Sequence, residues 1–223
     1  VNDAIDRVLA GPEKKDRVMS ERRKELVAYH EAGHALVGAL MPEYDPVQKI
    51  SIIPRGRAGG LTWFTPSEER LEAGLYSRSY LQNQMAVALG GRIAEEIVYG
   101  DEEVTTGASS DLQQVAQTAR QMVTRFGMSD RLGPVALGRQ QGNPFLGRDI
   151  ASERDFSEET ACAIDEEVRS LVDEAYARGK QVLVENRNVL DQLADMLVEK
   201  ETVDSEELAQ LLMSNDVKMA TIA

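Results

Sequence analysis

The chain has 223 residues and only two histidines, which stand four apart in "AYHEAGHALVG", residues 28–38. On a helix, side chains at i and i+4 lie on one face about a turn apart, so His30 and His34 are spaced to grip one metal ion from the same side. Glu31 completes H-E-x-x-H, a zinc signature in which the glutamate serves as general base. Both imidazoles must be neutral to donate their lone pairs, and metal binding holds them so. Zinc can lower the pKa of its bound water from 15.7 to about 7. Glu31, about 60° round the helix from His34 at 100° per residue, is suited to take the water's proton and pass it to a leaving amine. The chemistry this spacing points to is metal-assisted hydrolysis with no covalent intermediate.

A catalytic zinc takes three protein ligands and keeps a fourth position open. There is no third histidine, and the single cysteine, Cys162 in "TACAIDEE", reads as a small packing residue between alanines on an apparent helix. One cysteine also rules out an intrachain disulfide and suits a reducing compartment. The third donor must then be a carboxylate, and two candidates stand out from 38 acidic residues. One is the Glu95-Glu96 pair, on a helix whose interior Gly90-Gly91 costs ~1 kcal/mol per glycine and so implies a close neighbouring backbone. The other is Asp111, in the first turn of a helix spanning about 110–126 and bordering its apolar stripe. An acid there has an ordinary role as well, a favourable interaction with the helix dipole of ~0.3–1 kcal/mol. Residue types alone leave the two candidates level.

The elements that must position these residues follow from periodicity and punctuation. A helix is expected over about 20–39, with Leu26, Val27, Ala35, Leu36 and Val37 around the histidines and Pro42 beyond its end. Two strand-like runs, "VQKISIIP" (47–54) and "GGLTWFT" (59–65), read as a hairpin or small sheet. The "RGRAG" between them lacks the Lys-Ser/Thr ending of a phosphate loop. A helix over 78–99 is followed by the loop "GDEEVTTGASS", with Ser109 or Ser110 as N-cap of the next helix. That helix shows a stripe of Leu112, Val115, Ala116, Ala119, Met122, Val123 and Phe126. Residues 128–156 read as an irregular connection. A capping-box spacing at Asp155 and Glu158 then opens a long helix carrying Ile164, Val168, Leu171, Val172, Ala175 and Leu183. A second carries Val189, Leu190, Leu193 and Leu197, and a third begins with another capping box at Asp204 and Glu207. The expected fold is mainly α with a small β hairpin or sheet (α+β), an H-E-x-x-H helix at its core and a C-terminal helical hairpin. The expected organisation is a short tail and linker over 1–15, closed by Gly11-Pro12, one unit over 16–218, and a tail over 219–223.

Hydrophobic content of 42% and charged content of 28% are those of a globular protein. The net charge of −13 argues against a nucleic-acid partner, which would need a basic face. No apolar run approaches the roughly 18–20 residues that span a bilayer.

The motifs "LVAYHEAGHALVG", "ISIIPRG", "GGLTWF", "MAVALGGRIAEEIVYG" and "VTTGASSDLQQV" together resemble the proteolytic domain of the FtsH family of membrane-anchored AAA+ zinc proteases. The resemblance runs in the family's order over nearly the whole chain. It implies that the aspartate of "TTGASSD", Asp111, is the third ligand of one Zn2+ per chain, with Glu95 and Glu96 in supporting or packing roles. It implies that 1–15 corresponds to the junction with an ATPase module, and that ATP and Mg2+ belong to that module, which this sequence does not contain. It also implies a homo- or hetero-hexamer acting on unfolded or damaged membrane and soluble proteins. Membrane attachment would come through N-terminal segments outside this sequence, with the domain facing cytoplasm or stroma. "ALMPEYDP", "LYSRSYLQNQ", "NPFLGRDI" and "ETVD" look most like cyanobacterial or plastid members, which would place it at the thylakoid membrane.

An extended peptide must lie beside the metal, and the strand at Gly59, Gly60, Leu61 and Thr62 is the expected edge for it. The ordinary alternative is a half-buried strand with Trp63 or Phe64 in the core. For the chain as a whole, the competing readings are an inactive, hexamer-forming scaffold of the same fold and a zinc hydrolase of small molecules. The first is disfavoured because the ligands and base are all present. The second requires a closed pocket in place of an edge strand.

Overall fold

The computed structural model describes residues 19–54, 59–137 and 156–219. The expected 1–15 tail, the "RGRA" turn at 55–58, Asp155 and all of the 219–223 tail but Met219 lie outside the described residues.

Helix α1 (Glu21–Leu40) starts where Ser20 turns its hydroxyl back to accept from the Arg23 N–H. It packs along α3 (Arg78–Tyr99), capped in the same way by Ser77. The two backbones touch where neither has a side chain. A Cβ added to Gly33 would sit 2.3 Å from the Gly90 carbonyl oxygen, and one added to Gly90 would sit 2.6 Å from that of Gly33. The close approach implied by Gly90-Gly91 is thus met by a third glycine, on the histidine helix itself.

Strands β1 (Val47–Ser51), β2 (Leu61–Phe64) and β3 (Thr202–Asp204) form an antiparallel sheet in the order β2–β1–β3. The expected hairpin is present, shorter than its apolar runs, and β3 extends it from the C-terminal end of the chain. A short helix α2 (Glu68–Ala73), ended by left-handed Gly74, follows β2. The C-terminal third is α5 (Glu158–Glu185), α6 (Arg187–Lys200) and, after β3, α7 (Ser205–Ser214). At the start of α7, Asp204 and Glu207 form the expected reciprocal capping box. Leu36, Ile50, Met85, Ile93, Leu183, Leu193 and Leu197 are fully buried where α1, α3, α5, α6 and the sheet meet.

Several local expectations change. Neither Ser109 nor Ser110 caps α4 (Ser109–Thr124). The chain enters that helix through a 3-10 turn at Thr106–Ala108, capped by Thr105, whose hydroxyl accepts from the Gly107 N–H. The covered face of α4 is narrower than its stripe, with Val115, Ala119, Met122 and Val123 buried and Leu112, Ala116 and Phe126 exposed. Ser157 caps α5, accepting from the Thr160 N–H. Cys162 is exposed and is not a packing residue.

Candidate metal centre

His30 and His34 sit on the face of α1 turned toward α3, with side chains only 13% and 12% exposed. Each ring is fixed through Nδ1. His30 Nδ1 stands 2.7 Å from Glu95 Oε1 on α3, and His34 Nδ1 stands 2.7 Å from the Val87 carbonyl oxygen on the same helix. A carbonyl can only accept, so His34 carries its hydrogen on Nδ1, and an ionised Glu95 assigns His30 the same tautomer. Gly91 makes room for the first ring, since a Cβ there would lie 2.6 Å from His30 Nε2.

Both Nε2 lone pairs therefore point to a common place. They lie 3.1 Å apart, and Asp111 Oδ2, from the first turn of α4, is 3.5 Å from one and 3.8 Å from the other. Two neutral acceptors and a carboxylate at these distances repel unless a cation or a proton lies between them. Zinc bonds of ~2.0–2.1 Å at tetrahedral angles would hold the donors roughly 3.3–3.4 Å apart. The arrangement fits such an ion, and the two-imidazole, one-carboxylate set suits zinc. His30, His34 and Asp111 are the one group of potential metal ligands found among the described residues, their donor atoms all within 4.8 Å of one another.

The electrostatics of these side chains express the same crowding. Burial works to lower His30, but its hydrogen bonds to Asp111 and Glu95 outweigh that and raise it to about 10. Burial and the neighbouring His30 charge push His34 down to about 4. Burial likewise lifts the Glu31 carboxyl to about 7, against the pull of His30 and the Thr62 hydroxyl.

Glu31 is 7% exposed. Its Oε2 accepts from Thr62 Oγ1 at 2.8 Å. Gly60 backs directly onto it, where a Cβ would stand 2.7 Å from Glu31 Cγ, and Gly59 packs on Val27. Leu61 pairs with Ser51 on β1. Strand β2 is an outer strand of the sheet, with Trp63 and Phe64 half-buried. The two glutamates of α3 part company. Glu95, fully buried, joins His30 to the Thr105 N–H, whereas Glu96 turns to Tyr176 and Lys180 of α5. Sequence reasoning missed Thr105 and the Val87 carbonyl. The threonine has a usable signal in its position six residues before Asp111, but a backbone carbonyl has none. A cavity of about 800 Å³ lies away from the histidines, between Gly38, Met41 and Val47 on one side and Leu208 and Leu212 on the other.

An H-E-x-x-H helix with an aspartate of a second helix close by, beside the outer strand of a small sheet, has the donor set of a zinc metallohydrolase. The chain belongs to peptidase family M41, whose sequence profile it matches over residues 17–211. It is 83% identical over 222 residues to the ATP-dependent zinc metalloprotease FtsH 3 of Synechocystis sp., covering all of this chain and 36% of that protein. It is 69% identical over 219 residues to the ATP-dependent zinc metalloprotease FtsH of Synechococcus sp., covering 98% of this chain and 34% of that protein. It is 62% identical over 219 residues to the ATP-dependent zinc metalloprotease FTSH 5, chloroplastic, of Arabidopsis thaliana, covering 98% and 31%. The chain thus spans about a third of the length of these curated relatives.

Proposed function

We propose that the chain is a zinc-dependent endopeptidase unit. Three donors, His30, His34 and Asp111, hold the metal, and Glu31 is the general base. The observation that carries this reading is the convergence of two Nε2 lone pairs and one carboxylate oxygen on a single point, with a buried carboxyl on the same helix. When bound, zinc supplies Lewis acidity, acidifying water and polarising a scissile carbonyl. The protein supplies the rest. Glu95 and the Val87 carbonyl hold the imidazoles in the tautomer that presents Nε2. Glu31 accepts the proton of the attacking water and returns it to the leaving amine. The outer edge of β2 at Leu61 and Thr62, with Gly59 and Gly60 just before it, is the edge along which an extended chain is taken up. Pairing through backbone groups reads little sequence, so cleavage is broad.

The family resemblance and the relatives' names support a wider assignment. The unit, over about 16–218, works beneath an ATPase module that binds ATP and Mg2+, in a homo- or hetero-hexamer that degrades unfolded or damaged proteins. It is anchored to a membrane, the thylakoid in this lineage, through segments outside this chain, and faces cytoplasm or stroma. No described helix is long and apolar enough to cross a membrane.

The test is metal content together with cleavage of casein, an unfolded substrate. We expect about one zinc per chain and cleavage that a chelator abolishes and added zinc restores. Chelator-insensitive cleavage, or a protein that binds no zinc, overturns the reading.

A further inference from the structure

The face that β2 turns toward α1 is formed by alternate residues. Gly60 and Thr62 both meet Glu31, and Phe64 meets Gly38 two turns further along. Glu31 is therefore gripped by the outer strand rather than by its own helix. The Thr62 hydroxyl has one hydrogen and two acceptors in reach, Glu31 Oε2 at 2.8 Å and the Glu31 carbonyl at 3.1 Å. The shorter contact, to the charged group, is the stronger. Gly60 closes the other side, since any side chain there would displace the carboxylate.

We propose that Thr62 is a positioning residue for Glu31, its hydroxyl fixing one carboxylate oxygen on the strand so that the other is left to act as base. This deepens the proposed peptidase reading and rests on it. The consequence is a division of labour within β2: its outward backbone edge takes the substrate, while the inward side chain of Thr62 sets the base. Loss of the hydroxyl then slows turnover without weakening substrate uptake.

The test compares the zinc-loaded wild-type protein with Thr62→Val and Thr62→Ser on a fluorogenic peptide, with zinc content and thermal unfolding measured alongside. Thr62→Val is nearly isosteric but cannot donate. It is expected to lower kcat roughly tenfold to a hundredfold, the range set by losing a hydrogen bond to a charged group, with KM and zinc content unchanged. Thr62→Ser, which keeps the hydroxyl, is expected to recover most of kcat. If Thr62→Val keeps wild-type kcat, or raises KM at unchanged kcat, Thr62 serves the substrate and the inference is overturned. If Thr62→Ser is as slow as Thr62→Val, the effect belongs to packing, and the inference is again overturned. A wild-type protein with no chelator-sensitive cleavage sinks the peptidase reading itself, and this inference with it.

Discussion

His30 Nδ1 and Glu95 Oε1 form a buried pair at 2.7 Å, and the second oxygen of Glu95 accepts from the Thr105 N–H at 2.8 Å. One carboxylate thereby ties the histidine helix to the turn that leads into α4 and Asp111. Burial opposes its ionisation, but the two hydrogen bonds prevail and hold its carboxyl below the usual range. Glu95→Gln keeps the shape and removes the charge. Partners of this kind are worth roughly 10–100-fold in metal affinity, so zinc affinity should fall by that order with secondary structure intact. Competition against a chromophoric chelator measures it, and unchanged affinity would reduce Glu95 to a packing residue.

The two other carboxylates are expected to separate cleanly. Asp111→Ala removes one of three donors and should leave the protein unable to retain stoichiometric zinc through dialysis. Glu31→Gln leaves the donors in place. It should keep zinc while lowering kcat by ~10²–10⁴, the usual contribution of a general base. Stoichiometric zinc in Asp111→Ala would remove the third-ligand assignment, and full activity in Glu31→Gln would remove the base assignment.

Metal binding should release a proton. In the metal-free protein His30 is raised to about 10 and His34 lowered to about 4, so the pair carries one proton between those values. The ion needs both lone pairs and must displace it. Above about pH 7, where Glu31 is ionised, and below about pH 10, one proton leaves per zinc bound, and apparent affinity rises about tenfold per pH unit. Calorimetry in two buffers of different ionisation enthalpy counts the proton, and a count near zero contradicts the raised His30 value. The sign for stability runs the other way. The raised His30 value stabilises the metal-free fold fully below its unfolded pKa of about 6.5, and that contribution is lost as pH rises through about 10.

What was legible in the sequence was whatever periodicity and spacing encode. The histidine pair followed from i, i+4 geometry, the helix contact from Gly90-Gly91, and the C-terminal hairpin from its apolar stripes. The carboxylate proposed as third donor was not legible from residue types. Asp111 and Glu95 have equal claims as acids on helices, and only the folded turn at Thr105 turns one toward the Nε2 atoms and the other toward Nδ1. Strand β3 has three residues, too few to show an alternation, and it exists only by pairing with β1. The stripe of α4 overstated its burial, since Leu112, Ala116 and Phe126 stand exposed beside the buried Val115, Ala119, Met122 and Val123. Cys162 stands between alanines, yet position along a helix does not say which face is covered.

The register of β2 on α1 rests on Gly38 and Phe64. A Cβ at Gly38 would lie 2.3 Å from Phe64 Cε1, so the ring occupies the space a side chain would need. The same ring meets Tyr44 edge-on at 5.3 Å, which leaves it little freedom to retreat. Gly38→Ala should therefore destabilise the fold by about 1–3 kcal/mol, the usual effect of overpacking. Phe64→Leu in the same chain should recover part of that loss, because the two changes share one space and cannot be additive. The shift also has a reach beyond stability. Phe64 and Thr62 project to the same side of one strand, so moving the ring draws the Thr62 hydroxyl away from Glu31. Gly38→Ala should lower kcat at unchanged zinc content, and the double variant should restore kcat and unfolding temperature together. Recovery of stability without recovery of kcat would show that the ring holds the strand but does not set the base.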